Sequence, residues 1–256
     1  MTEIRGLYTL WLREIKRYLR DRVRIISGLV TPMLWLLIFG TGIRFAVTAG
    51  AIGNFNYQQY LFPGIVGQTL LFTSMFIGIS VIWDREFGFM KEILVAPISR
   101  VSIFFGKMLG DSTDALIQGI IVLLLGTLLG ILKNPIMFLQ LLPIMVLITF
   151  GLVSLGLTIA SFIQNLESYG VVASFVNLPL FFLSGALFPM HGTNVPVWLE
   201  TLSNFNPLTY GVDALRTITL GQNWQPLYPF YYDILMVVFF DIAIIIVGTF
   251  ALSRRK

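Results

Sequence analysis

Six predominantly apolar stretches, each about as long as a bilayer is thick, dominate this chain. They run Ile25–Ile43, Tyr60–Trp83, Lys107–Leu132, residues 138–163 within the block Pro135–Leu166, Ser168–Phe188 and Tyr231–Leu252. A helix crossing a hydrocarbon core of about 30 Å needs about 20 such residues. The pattern predicts an all-α integral membrane protein with six transmembrane helices in a single domain, residues 1–256. Charged residues make up 12% of the chain, about half the share in ordinary soluble domains. That leaves too little polar surface to cover six apolar segments in water.

The basic residues alternate between connections. Arg5, Arg13, Lys16, Arg17, Arg20, Arg22 and Arg24 precede the first span, and Arg85, Lys91, Arg100 and Lys107 follow the second. Arg254, Arg255 and Lys256 end the chain, whereas the other connections hold only Arg44, Lys133 and Arg216. Lys and Arg collect on the cytoplasmic side, so both termini are expected in the cytoplasm of a multi-pass cell-membrane protein. The net charge of +4 thus reads as membrane orientation and not as nucleic-acid binding. With zero cysteines there is no disulfide framework and no thiolate metal site. The charged start does not read as a cleavable signal.

Within residues 1–24, Ile4, Leu7, Tyr8, Trp11, Ile15, Tyr18 and Leu19 share one helical face while Arg13, Lys16, Arg17 and Arg20 share another. This predicts an amphipathic helix in the membrane interface, Trp11 buried and Arg17 exposed. Pro32 predicts a kink in the first span, with Gly28, Gly40 and Gly42 nearby. Tyr57, Tyr60, Trp83, Tyr228, Tyr231 and Tyr232 fall at span ends and predict aromatic belts. The short link Gln164–Glu167 predicts a tight helical hairpin. Residues 189–228 are long and apolar, yet the pieces Val195–Phe205 and Pro207–Leu220 are too short to span. They predict a re-entrant outer segment bent at Asn206-Pro207, because proline lacks an N–H and pushes its predecessor out of helical geometry.

Candidate chemistry is sparse, and no catalytic, cofactor-binding or metal site is expected. His191 is the single histidine, and Gly106-Lys107-Met108 lacks the spacing and hydroxyl of a phosphate-cradling loop. If the protein uses ATP, another chain must bind it. Lys107, Asp111 and Asp114 fall at i, i+4 and i+7 on one helical face and predict a polar seam with a Lys107–Asp111 pair. Asp241 lies inside the sixth span, and Asp213 and Arg216 are spaced to pair. Residues 84–100, DREFGFMKEILVAPISR, mix both charges with an apolar stripe. They predict a cytoplasmic docking element, with Arg85, Glu86, Glu92, Ile93, Leu94, Pro97 and Arg100 as its contact residues.

Four runs carry a family resemblance: Phe62-Pro63-Gly64, Glu92–Arg100 (EILVAPISR), Phe182–Met190 (FLSGALFPM) and Asn206–Arg216 (NPLTYGVDALR). In order and with the six-span pattern, the chain resembles membrane subunits of type-2 ATP-binding-cassette exporters of the daunorubicin-resistance and nodulation-factor-export kind. The resemblance implies export, a dimer of this subunit, and a separate ATPase subunit carrying ATP and Mg2+. It also implies a coupling helix between spans two and three and re-entrant helices before span six. Substrates of such exporters are amphipathic drugs, lipids or glycans, against which Phe181, Phe182, Phe188 and Tyr210 could line the path or outer gate. Two other classes remain open. One is an ion-coupled transporter using Asp111, Asp114 and Asp241; the other is a non-transporting scaffold that binds membrane lipid and a cytoplasmic partner.

Overall fold

The helices begin where short polar side chains accept amide hydrogens that a first helical turn leaves unbonded. Asp21 accepts from the Arg24 N–H at the start of α2 (Arg22–Leu34). Ser99 accepts from the Ser102 N–H before α5 (Arg100–Leu128). Asn134, Asn165 and Asn206 act likewise for α6 (Pro135–Phe162), α7 (Leu166–Phe182) and α9 (Pro207–Leu220). Pro135 and Pro207 occupy first-turn positions, where a missing N–H is harmless. The other elements of this computed structural model are α1 (Thr2–Arg20), α3 (Tyr57–Ile77), α4 (Ile79–Glu86), α8 (Val197–Asn204) and α10 (Phe230–Arg254). It describes residues 2–39, 57–89, 95, 97–132, 134–191, 195–221 and 224–254, among which there is no strand.

Among the described residues, five helical stretches are long and apolar enough to cross a membrane: Arg22–Phe39, Tyr57–Glu86, Arg100–Leu128, Pro135–Phe162 and Phe230–Ala251. The first passes from α-helix into a π-turn, Trp35–Phe39, just after Pro32. Gly40 and Gly42 lie outside the described residues. The third expected span, residues 107–132, is really Arg100–Leu128. It starts earlier because Ser99 caps the helix ahead of Arg100, and it stops where Gly130 turns to φ 72°. The fifth expected span, residues 168–188, is helical only to Phe182. Its 17 residues reach about 26 Å at 1.5 Å each. Pro179 removes one amide donor near its end, and Gly185 at φ 71° takes the chain out of helical geometry.

Successive long helices alternate in direction. The start of α1, the end of α4, the start of α5 and the last turns of α10 therefore meet at one end, here the charged end: Glu3 bonds Ser99, and Gly248 packs on Phe104. The ends of α7 and the helices α8 and α9 occupy the far end. The centre is α3, 78% of whose apolar window is buried, against 22% for α10 and 11% for α2. Leu61, Phe62, Ile65, Leu70, Leu71, Ser74 and Met75 are its wholly buried side chains. They are covered by α5, α6, α7 and α9.

Small residues set how closely α3 is approached. A Cβ on Gly64 would collide with the backbone carbonyl of Ala186, which has no side-chain freedom to yield. Gly64→Ala is therefore expected to destabilise the fold by about 1–3 kcal/mol. Thermal unfolding of the detergent-solubilised protein measures this; an unchanged midpoint would show that the Ala186 turn can move away.

Helix α1 forms, and one stripe of it packs against the other helices. It lies along α5, and their contacts climb together: Gly6 meets Ile98, Leu10 meets Gly106, Glu14 meets Gly110, and Tyr18 bonds Gln118. The buried stripe is Leu10, Glu14 and Tyr18, while Ile4, Tyr8 and Leu19 are exposed. Trp11 and Arg17 are both half-buried, Trp11 donating to Thr113 Oγ1 at 3.1 Å. Two glycines on α5, Gly106 and Gly110, form the notches into which this stripe fits.

Candidate functional site

At the charged end, three helices bring their ionic side chains to one point. Lys107 of α5 places Nζ 2.6 Å from Asp84 Oδ2 and 3.2 Å from Glu14 Oε1. Arg13 of α1 reaches Asp84 Oδ1 at 2.7 Å, and Arg17 lies 3.9 Å from both Glu14 and Asp84. Lys107, Asp84 and Glu14 are each 2% exposed, whereas Arg13 and Arg17 are 34% exposed. The expected Lys107–Asp111 pair is thus replaced by pairs between helices. One ammonium there meets two buried carboxylates, Glu14 and Asp84, where the in-helix pair would have met one. Asp111 and Asp114 share the buried face with Lys107, as expected, but each leaves one carboxylate oxygen without a hydrogen bond.

The junction is clamped from outside by further contacts. Arg17 lies over the Trp83 ring and Arg13 over Phe89, at 5.3 and 5.6 Å from the ring centres. The Glu3 carboxylate accepts from the Ser99 N–H and hydroxyl at 3.0 and 3.1 Å, tying α1 to the N-terminus of α5. Donation from Ser102 and from the Ser99 backbone holds Glu3 below its ordinary value, and the helix dipole favours a negative charge there.

Among the expected docking residues, Arg85 turns into the bundle. Its guanidinium donates to the carbonyls of Ala160, Ser161 and Ile163 and so caps the end of α6. Glu86 and Pro97 are exposed and Arg100 is half-buried, while Glu92, Ile93 and Leu94 lie outside the described residues. Phe87, Phe89 and Val95 are exposed. The link Ile163–Asn165 is the expected tight hairpin, at the same end.

The far end is organised around the turn that follows α7. Its backbone carbonyls, left free where the helix stops, are taken by side chains of two other helices. Gly185 O accepts from Tyr60 Oη at 3.1 Å and from Arg216 Nη2 at 2.9 Å, and Leu187 O accepts from Tyr57 Oη at 3.0 Å. Asn206 Nδ2 donates to Leu180 O at 2.7 Å. Irregular backbone at this depth requires such protein partners. Tyr57 and Tyr60 are consequently 3% and 1% exposed and do not form a lipid-facing belt. Tyr231, 73% exposed, does face outward.

The expected Asp213–Arg216 pair also resolves into separate roles. Arg216 stacks over the Tyr60 ring at 3.9 Å while bonding Gly185. Asp213 accepts from the Leu227 and Tyr228 amides at 2.8 and 3.3 Å. Burial pushes its carboxyl above the ordinary value against the opposing field of Arg216. His191 bonds Asn204 Oδ1 at 2.7 Å, and Tyr228 Oη donates to the same oxygen at 2.8 Å.

Of the four aromatic residues expected in a path or gate, Phe181 and Phe182 meet, their ring centres 5.3 Å apart. Phe181 is buried edge-on to Trp35 and Phe72, whereas Phe182 and Phe188 are exposed. Tyr210 is buried in a separate cluster with Tyr228 and Tyr232 and donates to Asn204 O. Asp241 packs against Gly151, beside which Phe240 also lies. Glu14 and Asp84 were missed as partners of Lys107. The signal available for Glu14 was its place between Leu10 and Tyr18, one turn to either side on a single helical stripe.

Residues 5–220 match the ABC-2 type transporter family. The chain belongs to it. It is 34% identical over 227 residues to a putative transport permease, ycf38, of Cyanophora paradoxa, covering 86% of this chain and 76% of that one. It is 27% identical over 229 residues to the inner membrane transport permease YadH of Escherichia coli K12, covering 87% and 86%. Nodulation protein J of Rhizobium leguminosarum bv. trifolii is 26% identical over 200 residues, with 77% and 74% covered. This ABC-2 protein is a multi-pass transport permease subunit of an ABC transporter. The family implies an ATP-binding subunit as its partner.

Proposed function

We propose that this ABC-2 permease is the membrane half of an ATP-driven exporter. Two copies enclose the path of an amphipathic drug, lipid or glycan, and a separate chain binds ATP and Mg2+. The charged end faces the cytoplasm with both termini, six segments span, and α8 and α9 fold back into the outer leaflet. One observation carries the reading: Asp84, in the last turn of α4 and at the head of residues 84–100, is bound through Lys107 and Arg13 to α5 and α1. A push on that loop would reach three helices through short ionic contacts. The exposed Phe87, Phe89 and Val95 supply an apolar contact surface beside it. The bare face of α2 and the exposed Val171, Phe175 and Leu178 of α7 are where a second copy would pack.

Substituting Asp for both Ile93 and Leu94 tests the coupling role, because an apolar contact would then have to bury charge. Association with the ATPase chain is expected to weaken about tenfold or more, measured by co-purification and titration of stimulated ATPase activity. Normal binding and stimulation by the double variant would remove residues 84–100 from the coupling role.

A further inference from the structure

Between α2, α3, α5 and the end of α1 there is a cavity of about 330 Å³. That is within the range of small-ligand sites, roughly 300–1,000 Å³. It is separate from the ionic junction and from the turn after α7. Its walls carry hydroxyls and amides from Ser27, Thr31, Gln68, Thr69, Thr73 and Gln118, with Arg24 as its cation and no carboxylate among the lining side chains.

Three of its polar groups are built into the wall yet lack partners. Gln68 is 3% exposed and its Oε1 accepts nothing; Gln118 is 1% exposed and its Nε2 donates to nothing. The other end of the Gln118 amide is occupied, since its Oε1 accepts from Tyr18 Oη at 2.8 Å. Arg24 is held with its guanidinium over the rings of Tyr18 and Phe76, at 5.6 and 5.5 Å, and its Nη2 is also without a hydrogen bond. Asp114 lies close enough for its field to act on Arg24. An orphaned buried amide costs about 1–3 kcal/mol, so a chain does not ordinarily keep two of them beside an unsatisfied guanidinium and an open cavity.

The occupant that satisfies all three is defined by its chemistry. It presents an anionic acceptor to Arg24 Nη2 and Gln118 Nε2, and a hydroxyl or ammonium donor to Gln68 Oε1. We propose that this cavity binds a phosphate ester carrying such a donor. The mouth lies beside Ser27 and Phe76, both exposed on apolar helices, so the ester can be the headgroup of a phospholipid whose chains stay in the bilayer. A soluble ester of the same chemistry is the alternative source. Neither needs ATP or a partner chain, so the inference stands or falls independently of the exporter reading.

The test uses the full chain in phosphatidylcholine nanodiscs containing a minor fraction of phosphatidylglycerol, with retained lipid read by native mass spectrometry. Preferential retention of phosphatidylglycerol is expected, reduced about tenfold by Arg24→Gln and by Gln68→Leu and unaffected by Arg22→Gln on the exposed side of the helix. Displacement of that lipid by sn-glycerol 3-phosphate at the same Arg24-dependent site would assign the cavity to a soluble ester. If Arg24→Gln fails to fold, Gln68→Leu decides alone. Equal retention of both lipids with no binding of glycerol phosphate, or retention indifferent to the substitutions, overturns the proposal.

Discussion

Lys107→Met is expected to destabilise the protein by about 3–5 kcal/mol, the usual cost of leaving buried charge without its partner. The ammonium stands between two carboxylates that are each 2% exposed, at 2.6 Å from Asp84 and 3.2 Å from Glu14. Removing it leaves Arg13 and Arg17, which are more exposed, to hold both. Arg13 still reaches Asp84, but Glu14 keeps only contacts of 3.5 Å to Arg13 and 3.9 Å to Arg17. The double substitution Lys107→Met with Glu14→Gln should recover part of the loss, because the orphaned charge is then gone. Unfolding midpoints of the two single variants and the double variant form the cycle. A Lys107→Met variant within 1 kcal/mol of the parent would mean that water reaches this junction.

The next largest effect is expected at the far end. Arg216→Ala should cost about 2–4 kcal/mol, combining a desolvated cation–π contact with a charge-assisted hydrogen bond. The guanidinium is 2% exposed, lies 3.9 Å above the Tyr60 ring and donates to Gly185 O at 2.9 Å. Its loss frees a carbonyl in the turn that ends α7 and leaves Tyr60 as the remaining donor to it. Lysine should rescue poorly, since an ammonium cannot stack flat on the ring and bond in its own plane at once. Limited proteolysis within residues 183–191, together with the unfolding midpoint, reads the outcome. If Arg216→Lys matched the parent in both, the flat guanidinium contact would be dispensable.

The helical pieces expected at Val195–Phe205 and Pro207–Leu220 form at residues 197–204 and 207–220, and the short link expected at Gln164–Glu167 forms at 163–165. Each rests on a polar or proline residue beside an apolar run: Asn206-Pro207 and Asn165 mark their own helix starts. The buried polar face Lys107, Asp111, Asp114 was legible in the chain, because its spacing repeats the helical period. What Lys107 would pair with was not. Its partners lie 93 and 23 positions away, and an in-helix partner four residues on looked sufficient. The same limit hid Tyr57 and Tyr60, whose places at the start of an apolar run resemble those of belt aromatics. Arg85, in a charged loop by sequence, caps a helix 75 residues further along.

The apolar and charge patterns along the chain settle that it is helical and membrane-spanning, where the Asn206-Pro207 turn falls, and which connections gather the positive charge. These follow from local quantities: the apolar content of a turn or two, a side chain that caps its own helix, a proline without an N–H. It took the packed bundle to show that α1 lies along α5, that Glu14 and Asp84 share Lys107, that two tyrosines and Arg216 seal the turn after α7, and that Gln68 and Gln118 face a cavity. Those outcomes depend on desolvation. A buried charge or carbonyl must find a partner, and which partner is near is settled by where distant helices meet.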